Sequence, residues 1–443
     1  MDIRHTLSMI ILSANLILLV SLLTACGNSN SNSIEELVSP EPPGVTLSSG
    51  QLIDSAVAGI NYISGDTQGV TDQQGYFEYE VIDGVPQKVI FTFNNIEIGS
   101  AIGKEIITPI DLVVDGNINQ PQVVNRARFL MMLDSDGNPG NGISPSVTLL
   151  DNLSTFSWDP LDFSSDDFQF EPELINLIAD INSVDDEPHS LPSSEVAQLH
   201  LTETLACQSS GIYAGSFEDG DHGNFVMLLQ DKRIDPLVFG DDSVRHGVTS
   251  ALIYSSDQNR LTGVLPQQGL SFDNNNSFIT GQTNNGAVFS GNLINFSQIE
   301  NGIWRNDVEG GSGTFTGEKV AAATDAIYRL SGGFGDNTPF DISDDTADNA
   351  GGITLDIFSD DSVSGLFITA RGERFELNGT LQEETIIASS SNGLEISLTF
   401  DASGEHPLSD LVGLFGLSGF WGSWQTADQN GGIAGTSCML NFE

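Results

Sequence analysis

Apolar and polar positions change rhythm twice along this 443-residue chain. From about Leu47 to Leu112 they alternate with period two: Phe77, Tyr79 and Val81 share one side of a strand, and Val89, Phe91 and Phe93 share one side of another. Residues two apart point to the same face of a pleated strand, so the pattern predicts short strands half-buried against a common core. Between about Pro121 and Ala206 the spacing becomes three and four. Val123, Ala127 and Leu130, beside Val124 and Met131, predict an amphipathic helix over Gln122 to Leu133, and Leu174, Leu177, Ile178 and Ile181 predict a second. A third starts at a Ser193 cap, carries Glu195 in its first turn, and runs through Val196, Ala197, Leu199, Leu201 and Leu205 to Cys207. From Cys207 onward Gly, Asn and Ser are dense and apolar alternations are short, which predicts an all-β region. The fold class expected is mainly β: an N-terminal β-sandwich over 47–112, a small helical segment over 113–206, and a C-terminal β region over 207–443.

The last region repeats. Tyr213 and Phe217 recur as Tyr328 and Phe334, and Trp304 with Gly310-Gly311-Ser312-Gly313-Thr314 recurs as Trp424 with Gly431-Gly432-Ile433-Ala434-Gly435-Thr436. The near-constant offsets predict a duplicated β-meander, a barrel or a sandwich, with units over about 207–320 and 325–443.

Within the first region, Gly69-Val70-Thr71-Asp72-Gln73-Gln74-Gly75-Tyr76-Phe77 is the most specific piece. Asp72 can form an Asx turn and Gly75 can supply a positive φ between strands. This hairpin resembles the one in carboxypeptidase-regulatory or transthyretin-like β-sandwiches, a resemblance that implies a fold and no activity.

A different resemblance governs the first thirty residues. The apolar run Met9 to Leu23 is too short to span a bilayer and has the length of a signal-peptide core. It leads into Leu23-Thr24-Ala25-Cys26, which resembles the lipobox of bacterial lipoproteins. That resemblance implies cleavage after residue 25, lipidation of Cys26, and membrane attachment through the lipid; Gly27 after the cysteine implies the outer membrane. Residues 26–46 are Asn-, Ser-, Glu- and Pro-rich, the composition of a flexible tether. The segments Thr108-Pro109-Ile110-Asp111-Leu112 and Leu133 to Pro139 are similar to those of surface lipoproteins of aquatic bacteria, which implies no activity.

Charge narrows the partners. With 61 acidic residues against 14 basic, the net charge is -47, a field that repels nucleic acid and membrane phosphates. Of three cysteines, lipidation takes Cys26, so Cys207 and Cys438 are expected to form a disulfide outside the reducing cytosol.

Candidate chemistry is sparse. Asp134-Ser135-Asp136-Gly137-Asn138-Pro139-Gly140-Asn141 sets oxygen ligands on alternate residues, the arrangement that hard Ca²⁺ needs, with Asp134, Asp136, Asn138 and Asn141 as ligands. Pro139 stands where an EF-hand loop has Gly and Pro145 where it has Glu, so the alternative is an Asx-rich turn closing a helix. A second acidic run, Asp341 to Asp345 with Asp348, fits a solvated loop. His200 on the third helix fits a core or boundary histidine, and His222 and His246 fit loops near carboxylates. Trp304, Trp421, Trp424 and Phe420 offer flat faces for sugars or peptides, or else fill a β core. No H-E-x-x-H, G-x-S-x-G, P-loop or C-x-x-C motif occurs. The expectation is a non-catalytic, lipid-anchored envelope protein that displays a β-rich domain to a protein or carbohydrate ligand; the alternative is an extracellular hydrolase of polysaccharide or peptide using acidic residues.

Overall fold

A computed structural model describes residues 44–443 apart from 235–243, 269, 274–275, 280–282, 284–285, 321–322, 324–325, 337–345, 401–418 and 441–443. The chain is mainly β, with sheet sandwiches, a small helical middle and a closed eight-stranded barrel, as its hydrophobic rhythm predicts.

Eight short strands come first: β1 (Val45–Leu52), β2 (Asn61–Ser64), β3 (Thr67–Val70), β4 (Tyr76–Ile82), β5 (Val85–Pro86), β6 (Lys88–Phe93), β7 (Ile96–Ile102) and β8 (Ile106–Ile107). They form two four-stranded sheets, β5-β4-β1-β8 and β3-β2-β6-β7, with β8 parallel to β1. The predicted inward positions Phe77, Tyr79, Val89, Phe91 and Phe93 are buried, and Phe77 meets Phe91 of the other sheet edge-on at 5.1 Å between ring centroids. Asp72 forms the expected turn: its Oδ1 accepts from the backbone N–H of Gln74 (3.0 Å) and Tyr76 (2.8 Å). Gly75 has φ +80°, and a Cβ there would lie 2.6 Å from the Leu52 carbonyl oxygen. Glu80 is buried on the strand after this turn, its Oε1 accepting from the N–H groups of Asp66 and Thr67.

Four helices follow: α1 (Pro121–Met132), α2 (Val147–Asn152), α3 (Pro172–Val184) and α4 (Ser194–Ser209). Pro opens α1 and α3, where the missing N–H costs no intrahelical bond. Ser193 caps α4, accepting from the Val196 N–H at 3.3 Å. Ala197, Leu201 and Leu205 are buried at i, i+4 and i+8, whereas Val196 and Leu199 face solvent; the apolar stripe is narrower than the composition suggests. Burial continues unbroken from the sandwich through the helices into the next sheet.

The first meander contains β9 (Gly211–Glu218), β10 (Gly223–Ile234), β11 (Val244–Ser255), β12 (Arg260–Gln268), β13 (Ser277–Ile279), β14 (Ala287–Ile294), β15 (Gln298–Asn306) and β16 (Ser312–Val320). Its order is β12-β11-β10-β9-β16-β15-β14-β13, and a bridge from Leu270 to Phe278 joins the two ends. The second contains β17 (Tyr328–Gly335), β18 (Gly351–Ile357), β19 (Ser362–Thr369), β20 (Arg374–Gln382), β21 (Thr385–Ser389), β22 (Glu395–Phe400), β23 (Gly419–Gln425) and β24 (Asn430–Met439), closed by β24 on β17. Side chains pack both interiors, and a cavity of about 240 Å³ opens beside Phe217, Phe289 and Trp304 of the first. Phe217, Phe289, Trp304 and Phe315 pack the first, and Phe334, Phe367, Phe420 and Trp424 the second. Outward residues Ile212, Val226 and Leu228 of the first meander pack against Leu366 and Ile368 of the second.

Strand register fixes which residues are equivalent. Phe217 faces Phe315 and Phe334 faces Ile433, at matching places in the two seams. Trp304 faces Gly313 and Trp424 faces Gly431. Each indole donates to the carbonyl that ends the first strand of its meander: Trp304 Nε1 to Glu218 O at 2.8 Å, and Trp424 Nε1 to Gly335 O at 3.1 Å. A Cβ on Gly313 or Gly431 would lie 2.6 Å from that indole nitrogen and closer still to the same carbonyl oxygen. The other sequence matches are not equivalent. Tyr213 faces Lys319 in the place that Leu330 takes opposite Ser437, two residues beyond Tyr328. Thr314 faces Glu218, whereas Thr436 faces Ser331.

Candidate functional site

Most residues that the sequence singles out serve the framework. Trp304, Trp424 and Phe420 are buried and pack the interiors of the meanders, while Trp421 is partly open. Cys207, in the last turns of α4, and Cys438, in β24, form a disulfide with Cα atoms 5.6 Å apart. Cys26 and the run 341–345 lie outside the described residues, while Asp348 pairs with Arg371. His222 makes an exposed pair with Asp257, Nδ1 to Oδ1 at 2.9 Å. His246 lies on β11, and its side chain lies outside those described.

The Asp134 loop closes on itself. Asp136 Oδ1 accepts from the Asn138 N–H (2.8 Å) and its Oδ2 from Asn141 Nδ2 (2.8 Å), so Asn141 turns its amide nitrogen, not its oxygen, toward the carboxylate. Asp134 is buried; its Oδ1 accepts from the Ser144 N–H at 3.2 Å and its Oδ2 has no donor. Burial, with Asp136 beside it, pushes the Asp134 carboxyl up to about 6. Among the described residues, no group of three or more His, Cys, Asp or Glu side chains is placed to hold a metal.

Two cavities lie where sandwich, α4 and both meanders meet. One, of about 300 Å³, is bounded by Ser55, His200, Glu203, Thr204 and the Cys207–Cys438 disulfide. The other, of about 280 Å³, is bounded by Tyr76, Ile106, Phe296, Lys319, Arg329 and the exposed Glu105. Gln51, Gln208 and Leu440 line both, so the cavities adjoin across these side chains as two compartments of a junction cleft. Ligand sites concentrate at such junctions because several elements can each contribute one group.

At the first end, Ile53 to Ala56 is a tight turn after β1, and Ser55 takes the left-handed conformation (φ +57°). Ser55 Oγ lies 3.3 Å from His200 Nε2. A strained serine beside a histidine invites comparison with a hydrolase nucleophile, but the wiring differs. That mechanism needs one ring nitrogen on serine and the other oriented by a carboxylate. Here Nε2 faces everything: Ser55 Oγ, the Asp54 carbonyl at 3.2 Å and Asp54 Oδ1 at 3.9 Å. An Nε2–H given to the Asp54 carbonyl has no lone pair for a serine proton. Asp54 is fully buried with no hydrogen-bond donor on either carboxyl oxygen, and burial pushes it up to about 6 against the opposing pull of His200.

At the second end, Arg329 on β17 sits opposite Asp356 on β18 and pairs with it in the interior, Nε to Oδ1 at 2.8 Å and Nη2 to Oδ2 at 3.3 Å. Asp356 Oδ2 also accepts from the Ala323 N–H at 2.7 Å. Lys319 on β16 gives one N–H to the Gln208 carbonyl at 2.7 Å and passes over the Tyr213 ring. Burial, reinforced by Arg329, pushes its ammonium well below the usual lysine range. These residues come from segments far apart in sequence and form no local motif. The signal that was available is scarcity: two of only 14 cations stand ten residues apart at the boundary between the repeats.

No protein-family model and no curated protein matches the chain. Among solved structures, a crystal structure assigned to AttH of Nitrosomonas europaea matches with 9% identity and a TM-score of 0.19, over 50% of this chain and 90% of that one. A likeness at that level carries no argument about fold or function.

Proposed function

We propose that this protein is a non-catalytic envelope component, anchored through lipid on Cys26 and favouring the outer membrane, whose β-rich body binds a ligand in the junction cleft. One observation carries the binding part: the cleft gathers polar and charged groups from four parts of the fold. The serine–histidine contact favours binding over catalysis, because Ser55 and Asp54 crowd the same ring nitrogen. A hydroxyl, an imidazole edge and a carboxamide from Gln51 or Gln208 suit hydrogen bonding to a polar ligand. The acidic surface disfavours polyanions such as nucleic acid as partners.

Two experiments test the proposal. Cys26→Ser should move the protein from the membrane fraction to the soluble fraction and abolish incorporation of labelled palmitate; unchanged fractionation removes the anchor. A thermal-shift screen of metabolites, sugars and peptides against the full-length protein should find ligands whose effect is lost either in Thr204→Trp, which obstructs the first end of the cleft, or in Lys319→Met at the second. Hits that persist in both variants, or turnover without stable binding, would overturn the binding role.

A further inference from the structure

We infer that the Lys319 end of the cleft is a receptor for a small organic monocarboxylate, its two oxygens held by the Lys319 ammonium and the Arg329 guanidinium and its apolar body lying against Ile106, Phe296 and Leu440. The inference deepens the proposed binding role and rests on it.

The first argument is the supply of donors. Lys319 Nζ has three N–H bonds and gives one, to the Gln208 carbonyl. Arg329 spends Nε on Asp356 and shares Nη2 between Asp356 and the Ala323 carbonyl. Among the described residues its Nη1 meets no acceptor. Two cationic groups with unspent donors therefore line one cavity. A carboxylate offers two oxygens to such a pair, and charge-assisted bonds of this kind are shorter and stronger than neutral ones.

The second argument is the charge around Lys319. Asp356 is engaged by Arg329 and by the Ala323 N–H, and no carboxylate stands within ion-pair distance of Lys319 among the described residues. Glu105 lines the same cavity but is exposed, so water screens it. A partly buried ammonium held only by one carbonyl and the face of the Tyr213 ring is unfavourable, and burial depresses its protonation accordingly. An arriving carboxylate would restore the charged form. A dianionic phosphate fits less well, since its extra charge would face Glu105 and Asp356.

The third argument is shape. The remaining walls include Ile106, Phe296, Ala323 and Leu440, and the cavity of about 280 Å³ leaves room for a short aliphatic or single-ring body. Basic groups and apolar walls lining one cavity suit an amphipathic acid.

The test uses full-length protein in detergent, titrated calorimetrically with benzoate and with benzamide, which match in shape and differ in charge. Benzoate should bind saturably, benzamide about ten- to a hundredfold more weakly, and Lys319→Met should weaken benzoate by a similar factor while Lys319→Arg retains it. Circular dichroism establishes whether each variant is folded; if Lys319→Met is not, the benzoate–benzamide ratio on unmodified protein decides alone. Equal binding of the two probes, or benzoate binding unchanged in folded Lys319→Met, overturns the inference and leaves the cleft as a site for other ligands. Absence of saturable binding across formate to octanoate and benzoate at millimolar concentration also overturns it. Only a metabolite screen that fails together with those acids would remove the cleft reading as well.

Discussion

Replacing Gly431 by Ala tests whether a Trp–Gly–carbonyl contact holds the second barrel closed. Gly431 lies on β24, between β23 and the β17 seam, with the Trp424 indole reaching across it to the Gly335 carbonyl. Its φ is not in the left-handed region, so an alanine meets no backbone strain of its own. Elsewhere a Gly→Ala change of that kind stabilises by about 0.4–1 kcal/mol through the unfolded chain. Here the new Cβ would stand 2.6 Å from Trp424 Nε1 and nearer still to Gly335 O, whereas real Cβ contacts essentially never fall under 3.0 Å. Overpacking costs about 1–3 kcal/mol, and a buried indole N–H and carbonyl forced apart cost about 1–3 kcal/mol more. The net destabilisation expected is about 2–5 kcal/mol. Urea unfolding followed by tryptophan fluorescence should show it, and Gly313→Ala should behave alike, because its Cβ meets Trp304 Nε1 at the same distance. Gly44→Ala, whose Cβ has 3.8 Å to its nearest neighbour, is the control. Trp424→Phe removes the N–H, so Gly431→Ala added to it should cost less than the sum of the two. A loss under about 1 kcal/mol, or strict additivity with Trp424→Phe, would refute the reasoning.

Three further expectations concern stability. Cys207→Ser with Cys438→Ser should destabilise by about 5 kcal/mol, the loop-closure entropy of a long cross-link, and denaturation with and without reductant measures it; a loss under about 1 kcal/mol would mean that the bridge constrains little. Asp54 and Asp134 bind protons more tightly folded than unfolded, each raised from 3.8 to about 6, so each favours folding increasingly as pH falls from about 6 to about 4. The gain has an upper limit of about 3 kcal/mol per group. Asp54→Asn should remove its share from the wild-type-minus-variant stability profile, and a parallel profile would place the titration elsewhere. In EDTA at neutral pH, Asp134→Asn should stabilise the loop by neutralising a buried carboxyl beside Asp136; the calcium reading requires that order to reverse in excess Ca²⁺, and the same order in both removes calcium from this loop.

The sequence made the rhythm of the fold legible because burial imposes it residue by residue. Phe91 and Phe93 must face the sandwich core, and Ala197, Leu201 and Leu205 must face the helix partners. The duplication was visible where a contact demands a residue type in both copies, as Phe217 with Phe334 and Trp304 with Trp424. It misled where spacing alone was compared, since Tyr213 and Tyr328 sit two places apart in register. The aromatics looked available because alternation shows which side chains share a face, and not which face is inside. The cleft was illegible for a different reason. Ser55, His200, Lys319 and Arg329 meet only after three kinds of structure have packed, and nothing local demands any of them. The Asp134 loop lay between, legible as a constellation of oxygens but not in how Asn141 would turn its amide.

The bridge between α4 and β24 also ties the helical segment to the end of the chain's last barrel strand. Cys207 precedes its partner by 231 residues, and Cys438 reaches it only on the strand that closes the second barrel. In the native fold the two sulfurs meet where β24 pairs with β17. The bridge acts there as a latch between α4 and the closing strand of the second barrel, along the lining of the cleft. A chain stalled before that strand would carry a reactive thiol beside an unfinished cavity, a chemical mark by which an incomplete copy can be told from a complete one.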